Sequence, residues 1–137
     1  MPKLTYLPAQ PFADGIYRFE LGRAELLELE TGFNEERLRM VGVTPRPIME
    51  TFSSIMAGRM PTADGGTVGN PFIARASTQD IANIVRLGLR GGGMDASEAA
   101  KLVEKHSPPH QPLSYLWDIA AALVYAYLVG IDEADNG

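Results

Sequence analysis

A chain of 137 residues, 45% of them hydrophobic, is long enough to bury one core without covalent staples, and is read as a single domain over 1–137. It contains no cysteine, which excludes disulfides, thiolate nucleophiles and thiolate metal sites together. A net charge of −5 argues against a general nucleic-acid binder, and the first ten residues lack the basic and apolar runs of an export signal, so a cytoplasmic protein is expected.

Residues 1–14 carry Pro2, Pro8 and Pro11, which predict an extended arm with at most a short edge strand over Leu4 to Leu7. Asp14-Gly15 is a turn signal, and the aromatic and β-branched run Ile16 to Leu21 predicts a strand, so a small N-terminal hairpin is expected. A helix rich in leucine and glutamate follows from Arg23 to Glu30 and stops at Gly32. Its Glu25, Glu28 and Glu30 are read as a solvated face, because paired acid–base carboxylates need environments that push their pKa values apart. Asn34 is placed to cap a further short turn over Glu35 to Val41.

Pro47 suits the first position of a helix striped by Ile48, Phe52, Ile55 and Met56 and stopped by Gly58. The stretch 59–76 holds Pro61, Pro71 and three glycines and predicts a long loop; Phe72 and Ile73 within it either tuck back onto the core, the commoner case, or offer a contact to a partner. Ser77 is the predicted N-cap of the next helix, with Asp80 closing a capping box, and Ile81, Ile84, Val85, Gly88 and Leu89 form its apolar stripe. Gly91 is expected to end it with positive φ. Asp95 caps a second helix that turns Ala99, Leu102, Val103 and His106 inward. After the connector 107–112, Pro112 opens a last helix, Leu113 to Val129, apolar nearly all round and read as the centre of the core around Trp117. Residues 132–137 read as a frayed acidic tail. The expected fold is mainly α: about five helices around a central C-terminal helix, with a small N-terminal β-hairpin or strand.

None of the candidate chemistries has its required neighbours. Gly91-Gly92-Gly93 follows a helix and precedes Met94-Asp95, which puts a carboxylate where a phosphate loop would hold its anion. His106 and His110 are split by Pro108-Pro109 and so share no helical face for zinc, and no serine has a visible histidine partner. An enzyme, a cofactor and a metal are therefore not expected. Two helices around a short turn also fit a helix-turn-helix DNA-binding regulator, but Ala96, Glu98, Ala99 and Ala100 supply neither base-reading nor phosphate-binding groups. The last helix carries Asp118 and is too short for a membrane span.

The run Asp80 to Gly93, with its Arg-Leu-Gly-Leu and glycine triplet, together with Glu25-Leu26-Leu27-Glu28-Leu29-Glu30, resembles the gene transfer agent family protein of bacterial prophages and gene transfer agents. That family is classed with phage tail assembly proteins and is similar to tail assembly chaperones. The resemblance implies a tail assembly function in the cytoplasm of a bacterial host, with the tape-measure protein or the tail-tube protein as partner. A structural component retained in the particle is the alternative. Leu87 lies off the apolar stripe between Arg86 and Arg90, so these three residues, with Phe72 and Ile73, are the expected partner-contact patch.

Overall fold

The computed structural model describes residues 3–34, 36–40, 42–57, 60–61, 67–68 and 75–132. Strands β1 (Leu7–Phe12) and β2 (Gly15–Phe19) form an antiparallel hairpin that pairs Gln10 with Tyr17 and Phe12 with Gly15. The strand therefore falls later than the 4–7 window expected from the prolines, and it forms the expected hairpin with the arm. Pro8 and Pro11 are tolerated because both are exposed and β1 has only one pairing partner. Leu7, Phe12 and Phe19 turn inward, and Phe12 stacks on Tyr115 with ring centroids 5.5 Å apart. Further back, Leu4 and Ile131 exchange backbone hydrogen bonds of 2.8 and 2.9 Å, which ties the start of the described chain to its end.

Five helices follow the hairpin: α1 (Arg23–Thr31), α2 (Ile48–Met56), α3 (Thr78–Gly91), α4 (Ala96–Lys105) and α5 (Leu113–Leu128). The fold is mainly α, as the periodicity predicts. Most ends are set locally. Gly32 closes α1 in the left-handed conformation at φ 78°, Ser77 Oγ accepts from the Asp80 amide, and Asp95 accepts from the Ser97 and Glu98 amides. Pro47 and Pro112 sit one residue before their helices, at the cap position. Asp80 does not close the expected capping box; its carboxylate pairs instead with Arg46. After α1, among the described residues, Asn34 Oδ1 accepts from the Glu36 and Leu38 amides, and Phe33 bridges to Arg39. Within 59–76, β3 (Met60–Pro61) and β4 (Thr67–Val68) pair antiparallel.

The core gathers on α3 and α5. Helix α5 is central, as expected, and Trp117 donates its indole N–H to the Ile55 carbonyl of α2 at 2.9 Å. Its apolar girdle ends early, however, since Leu128 and Val129 are exposed. Helix α3 shares the centre, packing on β2 and on each of the other four helices. Its glycines explain how. Glu20 donates its amide to the Gly88 carbonyl at 2.9 Å, and a Cβ at Gly91 or Gly92 would overlap the carbonyl oxygens of Glu20 or Arg18. The triplet thus lets the end of β2 lie directly on α3. The expected positive φ is absent from Gly91, which is still helical, and occurs at Gly93, φ 115°.

Candidate interaction surface

Helix α1 has nine residues, and its inner face combines Leu29, buried in the core, with two glutamates. Glu28 is fully buried and Glu25 nearly so, while Leu27 between them is 50% exposed. The predicted solvated glutamate face is therefore overturned for these two residues. Burial of a carboxylate is tolerable only with charged and hydrogen-bonding partners, and α3 supplies them. Arg90 Nη1 donates to Glu28 Oε1 at 2.8 Å, and Arg86 Nη2 donates to Glu28 Oε2 at 3.1 Å. Arg90 also reaches Glu25 Oε2 through Nε and Nη2 at 3.3 and 3.2 Å. The other Glu25 oxygen accepts from the Gly22 amide at 3.0 Å, so one side chain both caps α1 and docks it. Arg86 further donates to Asn83 Oδ1, and Asn83 donates to the Gly42 carbonyl. Burial works against the Arg90 charge, but the hydrogen bonds and charges of Glu28 and Glu25 outweigh it and hold its pKa above the ordinary value.

The exposed positions of α1 are Arg23, Leu27, Glu30 and Thr31, so Leu27 stands as a large apolar side chain on the outer side. Ala24, Leu27 and Thr31 recur at i, i+3 and i+7 and form one wall of a groove of about 490 Å³; Phe33, Asn34 and Arg37 form the other. Leu38, next to Arg37, is 57% exposed. The side-chain oxygens lining the groove are already engaged: Thr31 Oγ1 donates to the Leu27 carbonyl and accepts from the Phe33 amide, and Asn34 Oδ1 accepts from the Glu36 and Leu38 amides.

The expected contact residues do not come together as a patch. Leu87 is 0% exposed, because α3 is surrounded and its buried arc is wider than one stripe; the exposed position read from its spacing is corrected. Arg86 and Arg90, its neighbours, are committed to Glu25 and Glu28. Phe72 and Ile73 lie outside the described residues. The groove itself was missed by the sequence reading. No local signal in the sequence marks it, because the arginines that draw Glu25 and Glu28 inward lie 58 to 65 residues away.

Among the described residues, no group of three or more histidines and carboxylates is placed to hold a metal, and no helix is long and apolar enough to cross a membrane. The molecule is a small mainly α protein with an apolar surface groove. Residues 72–130, the span that holds α3, α4 and α5, match the family described as phage tail tube protein, GTA-gp10. This match supports a gene transfer agent or phage tail family protein. The curated proteins and the solved structures give no match.

Proposed function

We propose that the protein is a non-enzymatic tail assembly chaperone that binds a tail-tube or tape-measure subunit and is displaced as the tail polymerises. The observation that carries this reading is the groove on α1, where the exposed Leu27 and Phe33 line one concave surface and so form a patch rather than scattered apolar side chains. A reversible chaperone needs such a surface, available before its client arrives and not needed for its own stability. The exposed residues of α4, Glu98, Lys101, Glu104 and Lys105, are of mixed sign, which favours a protein client over duplex DNA.

The description of the matched family favours a second reading, a structural component retained in the tail. Co-expression with the tail-tube and tape-measure proteins, affinity recovery and light scattering of the eluted species separate the two. The chaperone reading expects a soluble complex with one of them and absence from purified particles. Stoichiometric recovery from the particles establishes the structural reading instead.

A further inference from the structure

We propose that Asp14-Gly15, at the tip of the β1–β2 hairpin, is a latent isoaspartate site and that Tyr17 holds it closed.

The chemistry belongs to the dipeptide. When glycine follows aspartate, no side chain hinders the glycine amide nitrogen from attacking the aspartate Cγ. The new nitrogen–carbon bond closes a five-membered succinimide, and the carboxyl hydroxyl leaves with the amide proton as water. Water then reopens the ring. Attack at Cγ restores aspartate, whereas attack at the backbone carbonyl of Asp14 leaves the glycine joined through the side chain, which is isoaspartate. No oxidant or other co-reactant is consumed. Asp14 is exposed, so water reaches it.

Three contacts oppose ring closure. Tyr17 Oη donates to Asp14 Oδ1 at 2.8 Å. The same end of the Tyr17 ring lies 3.4 Å from the place a Cβ on Gly15 would take, so one side chain stands against both residues of the dipeptide. Closure also requires the Gly15 nitrogen to swing toward the Asp14 side chain, and the two-residue turn is pinned on both sides. Phe12 pairs with Gly15 across it, and the Ala13 amide donates to Tyr115 Oη at 2.7 Å.

Charge acts in the same direction. The neutral carboxylic acid can lose water, while the carboxylate is a poor electrophile. Asp14 is held below its ordinary pKa first by the Tyr17 hydrogen bond and then by its own amide, with the charges of Lys105 and His106 at the end of α4 adding to both against desolvation. A depressed pKa shrinks the neutral fraction at every pH above it. On the α5 side, the Tyr115 hydroxyl is taken by the Ala13 amide. Isoaspartate would add one carbon to the main chain within the turn, and so pull the Ala13 amide from Tyr115 and Phe12 from its stack on the same ring. Tyr17 thereby guards the attachment of the hairpin to α5.

The test incubates full-length wild type and Tyr17→Phe from neutral to mildly acidic pH and locates isoaspartate by peptide mapping. Mapping separates Asp14 from Asp64-Gly65 and Asn136-Gly137 elsewhere in the chain. A free peptide of the sequence 11–18 gives the unguarded rate. Wild type should form isoaspartate at Asp14 several-fold more slowly than the peptide, and Tyr17→Phe should recover much of that difference. As pH is lowered, the rise in rate should also begin at a higher pH in Tyr17→Phe than in wild type. That shift reports the lost hydrogen bond, because mere loosening of the hairpin raises the rate without moving the pH profile. If the thermal midpoint of Tyr17→Phe falls, the pH profile carries the test. Equal rates in wild type and peptide, equal rates in wild type and Tyr17→Phe, or a faster variant with an unshifted profile overturn the proposal.

Discussion

Glu28→Ala is the most direct test of how α1 is held. The carboxylate is fully buried and accepts from Arg90 at 2.8 Å and from Arg86 at 3.1 Å. Its removal leaves two guanidinium groups without their main counter-charge, a change that typically costs about 3–5 kcal/mol when the partners are buried. The lower end applies. Arg86 and Arg90 remain 13% and 20% exposed, Arg90 keeps Glu25, and Arg86 keeps Asn83. A loss of about 3 kcal/mol is therefore expected, which for a chain of this size lowers the thermal midpoint by roughly 10 °C. Urea unfolding of wild type, Glu28→Ala, Arg86→Ala and the double variant measures it. The double variant should lose less than the sum of the singles by about 1 kcal/mol or more, because it no longer strands one charge. A loss below about 1 kcal/mol for Glu28→Ala, or strict additivity, would refute the claim that this network docks α1 on α3.

The glycine triplet gives a paired prediction. Gly91→Ala should cost about 2 kcal/mol, since overlap with the Glu20 carbonyl outweighs the gain in helix propensity. Gly93→Ala meets nothing within 4 Å and should cost about 1 kcal/mol through its φ of 115° alone; urea midpoints rank the two. Ala13 sits at φ 56°, so Ala13→Gly should stabilise by about 0.5–1 kcal/mol while keeping the amide that donates to Tyr115 Oη, visible as a raised urea midpoint. Asp95 is held below its ordinary pKa by the Ser97 hydroxyl and by the Glu98 and Ser97 amides that it caps. Its folded value is depressed, so its contribution is complete above the unfolded value of 3.8 and is lost as pH falls through the folded one. Acid unfolding should therefore show the pH dependence of α4 protection from hydrogen exchange reduced in Asp95→Asn, which keeps the cap without the titration.

What the sequence made legible was the local chemistry. The caps at Ser77 and Asp95, the left-handed stop at Gly32 and the helix start after Pro112 each depend on residues within one turn, and each stands in the structure. What it hid depends on partners far along the chain. Glu25 and Glu28 find their arginines 58 to 65 residues away, and no helical period can distinguish a glutamate facing water from one facing a guanidinium. Leu87 was misplaced for a related reason. The width of a buried arc is set by how many elements surround a helix, and α3 is enclosed by β2 and four helices. Gly91 and Gly92 read as a turn signal, whereas their lack of a side chain serves the approach of β2. The groove was illegible because it is the reverse side of the same inversion.

That inversion connects the fold to the proposed function. Apolar contact through Leu29 is non-directional and by itself would set the rotation of α1 only loosely. Arginine–carboxylate pairs are directional, and the contacts from Arg90 to two glutamates three residues apart fix which face of α1 turns inward. The face turned outward is then fixed as well. The buried pairs are also shielded from salt in a way that the exposed Arg23 and Arg37 are not.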